Sequence, residues 1–497
     1  MWEGNKMSKE YGNFIAGAYT EPAGATKATG SGIGAALESR NPADEEDCLG
    51  LFVESDEQDV ATALEAMTAA AASWAATPGG ERAAALQKAL AALAERKEEL
   101  ARVMTREQGK PLQESRNEIG KSIAEAQFML GEGYRMNGET MQSEKPGAWA
   151  QTVRVPVGPV AAITPWNFPV LTPMRKLMPA LITGNPVVLK PSEFTPLTGL
   201  MLVEILNSAG LPKGVLNAVT GGRGTGEALV RHPAVKAITF TGSTTAGRSI
   251  YKLAAERLVR VQAEMGGKNP AVIWEPSSLE QAVQHIVSAA FLCSGQRCTA
   301  ISRVIVRRED AGLVEQALLG ALSQLRPGNG LADGVNLGPL TSREQLDKVA
   351  GFVERAESEG AKLLLGGRRL EEGDYAKGYF YPATLLTNVT GEMEIAREEV
   401  FGPVLTVQPV DTFEEAIAMA NDVEYGLTAA IFTRDLSLAG RFVDAIQTGM
   451  VHVNHGTVPE SHLPFGGVKA SGFGPGSVGS TTKDFFTDIK SVYIKHS

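Results

Sequence analysis

Between Glu57 and Gly109, apolar residues recur three and four positions apart (Val60, Leu64, Met67; Leu86, Leu90, Leu93, Leu100) in an alanine-rich background. That period predicts two or three amphipathic helices, separated at Pro78-Gly79-Gly80. A long helix is expected from about Gln113 to Gly131, after Gly109-Lys110-Pro111. These helices read as scaffold. Residues 11 to 53 read as extended segments and turns. From about 141 the pattern becomes strand-like, with Gln151-Thr152-Val153-Arg154-Val155 followed by Val157-Gly158-Pro159-Val160. Units of buried strand then helix follow: Val160–Thr164, Val187–Lys190, Val215–Val219 and Ala237–Phe240. Such alternation predicts a parallel sheet with helices on both faces and ligands beyond the carboxyl ends of its strands. A second αβ unit begins at Ala271-Val272-Ile273-Trp274. The tail Ser491–Lys495 alternates like an edge strand; paired with 151–155, it would offer an edge to another chain.

The 497 residues exceed one compact core, so two or three domains are expected. A net charge of −10 argues against nucleic-acid or anionic-membrane partners. Three cysteines and no signal peptide point to the cytoplasm, and no apolar run is long enough to span a bilayer. Residues 1–10 read as a terminal extension. Gly30-Ser31-Gly32-Ile33-Gly34 has the glycines of a dinucleotide loop, but no strand precedes it and it is set aside.

Chemistry concentrates just after the strands. Asn167, Lys190, Glu193 and Thr241-Gly242-Ser243 all follow predicted strands, where amide donors, a ribose-binding acid and a helix N-terminus suit a dinucleotide. Each alone reads more readily as a cap, a turn former or a solvated charge; together, four polar ends on one sheet edge favour a dinucleotide site. Glu264 rides on the double-glycine turn Glu264-Met265-Gly266-Gly267. Cys298, in Cys293-Ser294-Gly295-Gln296-Arg297-Cys298, falls on a turn whose backbone N–H groups suit an oxyanion; the alternative is a small core residue. No metal-ligand cluster is read.

Seven motifs, in order, resemble the NAD(P)-dependent, non-acylating aldehyde dehydrogenases from about residue 11 to the end. They are Pro165-Trp166-Asn167-Phe168-Pro169, Lys190-Pro191-Ser192-Glu193, Phe240-Thr241-Gly242-Ser243, Glu264-Met265-Gly266-Gly267-Lys268, Gly295-Gln296-Arg297-Cys298, Glu399-Val400-Phe401-Gly402-Pro403 and Pro464-Phe465-Gly466-Gly467. The resemblance implies an α/β fold with a Rossmann-like coenzyme domain (11–142 and 163–264), oligomerisation strands (143–162 and 479–497) and a catalytic domain (265–478). It implies Cys298 as nucleophile, Asn167 as oxyanion donor and Glu264 as general base. It implies NAD or NADP, with a slight lean to NAD, held by Thr164, Pro165, Trp166, Lys190, Ser192, Glu193, Phe240, Thr241, Gly242, Ser243, Gly266, Glu399 and Phe401. A homodimer or homotetramer is also implied.

Arg175 and Phe465 are the expected substrate contacts. In semialdehyde dehydrogenases that this chain resembles, an arginine at the Arg175 position grips a carboxylate; a guanidinium does so through paired N–H groups. The alternative is an inter-helix arginine. A second arginine of the succinate semialdehyde pattern is Leu292 here, so longer, sulfonated or hydroxylated anionic aldehydes stand beside succinate semialdehyde. His455 and His462 are candidate anion contacts, and Arg223 a candidate neighbour of the adenosine. Neutral aldehydes, CoA-dependent acyl transfer, a catalytically silent relative and a Cys293–Cys298 redox pair are the competing readings.

Overall fold

The computed structural model describes residues 9–20 and 36–496. The glycine cluster at 30–34 and most of the expected terminal extension lie outside them. Two large sheets organise the chain. The first has eight strands in the order Gly472–Phe473, Arg260–Glu264, Ala237–Thr241, Val160–Ile163, Val187–Lys190, Leu216–Ala218, Phe14–Ile15 and Ala18–Tyr19. Its five central strands are parallel. The first of them in sequence lies in the middle, the next two on one side and the last two on the other. The order therefore reverses between Val160–Ile163 and Ala237–Thr241, and beyond their carboxyl ends a crevice opens for a ligand. Val187–Lys190 and Asn269–Ile273 are buried at every position, which is why they read as continuous apolar runs and not as alternating ones.

The second sheet has seven strands: Lys362–Leu365, Thr384–Thr387, Val404–Val410, Ile301–Arg307, Asn269–Ile273, Thr428–Phe432 and Met450–Val453. All pairs are parallel except the first. Three helices, Glu57–Ala76, Gly79–Glu95 and Lys97–Gln108, answer the amphipathic stretch, and Leu112–Leu130 is the expected long helix.

The expected segment boundaries need three corrections. Val160–Ile163 is a central strand of the eight-stranded sheet and not part of the small one, because all four residues are buried between its helical layers. Thr140–Gln142 joins the small antiparallel sheet with Ala148–Pro156 and Thr487–Lys495. Gly472–Phe473, assigned with the catalytic segment, pairs with Arg260–Glu264 at the edge of the first sheet. The tail does pair with 151–155, Ser491 standing opposite Thr152.

Asn185 ties the small sheet to the large one. Its Oδ1 accepts from the Gly158 N–H at 2.8 Å, and its Nδ2 donates to the Phe486 carbonyl at 2.9 Å. Asn185→Ala leaves the Gly158 N–H without its acceptor and the Phe486 carbonyl with only the 3.3 Å bond from the Val157 N–H, and the expected loss is about 1–2 kcal/mol, read as a lowered urea midpoint. An unchanged midpoint would show that the Asn185 bridge is not what holds the two sheets together.

Candidate active site

Cys298 sits where three left-handed residues have just turned the chain. Cys293, Ser294 and Gly295 have φ of 55°, 53° and 71°. Two consecutive non-glycine residues in that region are strained and persist only where neighbours hold them. Here the Cys293 N–H donates to Glu114 Oε2 at 2.8 Å, Ser294 Oγ to the Gly338 carbonyl at 2.8 Å, and Gln296 Oε1 accepts from the Thr341 N–H at 3.0 Å. Gly295 is required, since a Cβ there would collide with the Gly402 carbonyl. Asn269 Nδ2 donates to the carbonyls of Cys298 and Ala300 at 2.7 and 2.8 Å, fixing the far side of the turn.

The thiol is partly exposed and opens on a cavity of about 440 Å³ between the two sheets. Asn167 lines the same cavity, and its Nδ2 donates to the Gln296 carbonyl at 2.8 Å. An amide nitrogen carries two hydrogens, so one remains for a ligand. The Cys298 N–H donates to no protein group among the described residues. Burial first, then the Glu399 charge, pushes the Cys298 thiol up to about 11, against the pull of Arg297 and Arg175.

Glu264 is buried in the cavity wall. Its Oε2 has no hydrogen-bond partner among the described residues, and the N–H groups of Ser477 and Gly467 approach the carboxylate. Burial pushes its pKa up, and the Lys176 and Arg175 charges only partly reverse that. Lys176, equally buried, is pushed down by the same desolvation while Glu264 supports its charge.

Of the residues expected at the coenzyme, Pro165, Trp166, Thr241, Gly242, Ser243, Gly266, Glu399 and Phe401 line this cavity. Thr164, Lys190, Ser192, Glu193 and Phe240 do not. Trp166 and Phe401 meet edge to face at 5.3 Å. Ser243 caps the Thr244–Ala255 helix, its Oγ accepting from the Ala246 N–H at 3.2 Å. Glu399 Oε1 accepts from the Gly267 N–H at 3.0 Å, and burial pushes its carboxyl up to about 7. A Cβ at Gly266 would overlap that carboxylate, so any side chain there would push Glu399 out of its place. Lys190 Nζ is already held by the Pro191 and Gly221 carbonyls at 2.9 and 2.5 Å and stands 3.7 Å from Glu193. Arg223 is 85% exposed and pairs with Glu227.

Arg175 lines the cavity over the Phe465 ring, 4.4 Å from its centroid. Its Nε and Nη2 are already engaged by Glu125, at 2.7 and 2.8 Å. The paired grip expected for a substrate carboxylate is thus taken by a protein carboxylate, and Nη1 is the nitrogen without a protein partner among the described residues. Lys121 stands 3.5 Å from the same Glu125 and donates to the Pro459 carbonyl at 2.9 Å. His455 and His462 stay off the cavity: His455 stacks with His452, and His462 packs near Phe128.

The Leu112–Leu130 helix, which reads as scaffold in the sequence, carries chemistry. Glu114, Asn117, Glu118 and Lys121 face the cavity at helical spacing. Burial pushes Glu114 up to about 7. The signal for it in the sequence is a charged and amide stripe at three- and four-residue intervals, continued by Glu125, on a helix that carries other polar residues as well.

Residues 29–492 match the model of the aldehyde dehydrogenase family. The chain is 40% identical over 487 residues to the alpha-ketoglutaric semialdehyde dehydrogenase of Bacillus subtilis, covering 98% of each. It is 38% identical over 466 residues to the alpha-ketoglutarate semialdehyde dehydrogenase of Haloferax volcanii, covering 93% of this chain and 96% of the other. Among solved structures, a 3,6-anhydro-L-galactose dehydrogenase in complex with NAP superposes with a TM-score of 0.93 at 32% identity, covering 98% of this chain and 100% of that one. The chain belongs to the aldehyde dehydrogenase family and is an NAD(P)-dependent aldehyde dehydrogenase.

Proposed function

We propose that the substrate is an anionic semialdehyde, oxidised to the free acid at Cys298. The observation that carries this reading is the charge on the aldehyde side of the cavity. Lining that side, Lys121, Arg175, Lys176 and Arg297 stand against Glu114, Glu118 and Glu264, four cations to three carboxylates. Burial pushes Glu114 and Glu264 toward their neutral forms, and Lys176 likewise, which leaves Lys121, Arg175 and Arg297 facing Glu118. An excess positive charge in a half-enclosed wall favours an anionic ligand. Arg175 Nη1 is the donor placed to meet it. The semialdehyde named for the Bacillus subtilis and Haloferax volcanii relatives is of this kind.

The Cys298 thiol releases its proton to solvent through the open cavity, and Sγ attacks the aldehyde carbon. The oxygen takes up the electron pair and is held by the free Asn167 N–H and the Cys298 backbone N–H, giving a thiohemiacetal. The nicotinamide coenzyme supplies, when bound, acceptance of the hydride whose loss leaves a Cys298 thioester. The residues fit such a group. The cavity runs past the bare Gly266 to the capped start of the Thr244–Ala255 helix, and the Thr164 Oγ1 nearby is buried without a partner among the described residues. Glu193 keeps its carboxylate half exposed at the adjacent strand end, where it would accept ribose hydroxyls and repel a 2′-phosphate, a slight preference for NAD. Glu264 takes a proton from the water that attacks the thioester. A carboxylate raised by desolvation is a stronger base than an exposed one, which suits hydrolysis in preference to transfer to CoA.

The exposed outer strand Thr487–Lys495, with Ile489 and Tyr493 projecting from it, supports assembly into a dimer or tetramer. Among the described residues no helix is long and apolar enough to cross a membrane. The three cysteines are free, which suits the cytoplasm.

Two outcomes test this reading. Arg175→Met should raise KM for acidic aldehydes roughly 10–100-fold, the worth of a charge-assisted hydrogen bond, and far less for neutral aldehydes of equal length. Equal losses for both would retire the anionic substrate. Burial raises the Glu264 pKa, so its basic form fills at higher pH than for an exposed carboxylate, and steady-state turnover should rise with pH above the ordinary carboxylate range. Glu264→Gln should flatten that rise and cut turnover by about 10²–10⁴-fold while a rapid first burst of coenzyme reduction survives. Full turnover in that variant would remove Glu264 from the role.

A further inference from the structure

Directly behind the oxyanion residue lies a charged pair that the chemistry above does not use. Lys110 Nζ and Glu118 Oε2 are 2.6 Å apart, each side chain only 1% exposed. Lys110 also donates to the Asn167 carbonyl at 2.6 Å and lies over the Phe168 ring at 4.1 Å. The other Glu118 oxygen accepts from the Val170 and Leu171 N–H groups at 2.9 and 3.0 Å. These are the first free donors of the Leu171–Ile182 helix, which carries Arg175 and Lys176. The same Asn167 carbonyl faces Cys293 Sγ at 3.6 Å, on the strained turn before the nucleophile.

A buried ion pair gives little net stability over a packed apolar pair, because both charges lose their hydration. What this pair does provide is direction. It grips one peptide carbonyl and two N–H groups within five residues, and so sets the plane of the Asn167 peptide and the angle at which the next helix begins. The Asn167 side chain leaves from that peptide. Lys110 does not reach the cavity surface.

We propose that Lys110 and Glu118 are positioning residues for the oxyanion site, aiming the Asn167 amide at the carbonyl oxygen bound to Cys298. The proposal rests on the reading of Asn167 as oxyanion donor. A displacement of about 1 Å at such a donor is enough to cost on the order of 100-fold in rate.

The test uses the full-length enzyme with Lys110→Met, Lys110→Arg, Glu118→Gln and Asn167→Ala. Lys110→Met should lower kcat/KM for the aldehyde, and coenzyme-independent hydrolysis of p-nitrophenyl acetate, by roughly 100-fold. Coenzyme Kd and the alkylation rate of Cys298 by iodoacetamide should stay within about threefold, because neither needs the oxyanion donor. Lys110→Arg, which keeps an N–H toward the carbonyl, should recover most of the loss. If Lys110→Met does not fold, Glu118→Gln carries the test, since it retains an acceptor for the helix and weakens only the hold on Lys110. A folded Lys110→Met (or, in its place, Glu118→Gln) with near-normal aldehyde and ester rates overturns the proposal. So does a parallel fall in turnover, coenzyme binding and alkylation, which marks a merely structural pair. Asn167→Ala separates the two readings. Normal turnover there removes the oxyanion assignment itself, whereas a crippled Asn167→Ala beside an active Lys110→Met removes only the positioning role.

Discussion

Burial of charge around one thiol is the constraint on which the rest of the site depends. Carboxylates and cations are packed into the wall between two sheets, and none is stable there without a partner or a shift toward its neutral form. Glu118 solves this with Lys110 and Glu125 with Arg175, whereas Glu264, with no ion-pair partner among the described residues, is shifted toward its neutral form. Each arrangement also has a consequence for chemistry. The first holds the carbonyl of Asn167; the second turns Arg175 toward Phe465; the third leaves a carboxyl that binds its proton above the ordinary carboxylate range. Stability and reactivity are here the same set of contacts.

The two sheets matter because they deliver these groups from distant parts of the chain. Strand ends of the first sheet bring Asn167, Ser243 and Glu264 to one edge. The second sheet places Cys298 just before Ile301–Arg307, and the glycine-rich segment before Gly472–Phe473 crosses between the sheets to close the wall. Ser471 marks that crossing: its Oγ donates to the Gly266 carbonyl at 2.7 Å and accepts from the Gly426 N–H at 2.9 Å.

Much of this is legible in the sequence. Strands buried on both faces announce themselves as unbroken apolar runs, so the residues that follow them stand out from the amino-acid pattern alone. Asn167 and Glu264 emerge in that way, Cys298 from the turn ahead of a strand, all with the family motifs, and all three line one cavity. What is not legible depends on contacts between residues far apart in sequence. Glu125 and Arg175 are 50 positions apart, and Lys110 and Asn167 are 57. No local pattern says that Arg175 is already paired, nor that Lys190 is held by the Gly221 carbonyl. The Leu112–Leu130 helix reads as scaffold because its alternation of apolar and polar residues is equally that of a solvent-facing helix; only packing against Leu171–Ile182 turns its polar stripe inward.

The central claim is that substrate passes through an acyl group on Cys298 that Glu264 releases. Intact-protein mass spectrometry of Glu264→Gln, mixed with a semialdehyde and coenzyme, tests it most directly. The account predicts an accumulated adduct equal to the aldehyde less one hydride and one proton, mapped by digestion to Cys298. No adduct during turnover, or one carried by Cys293 or Cys48, would contradict it.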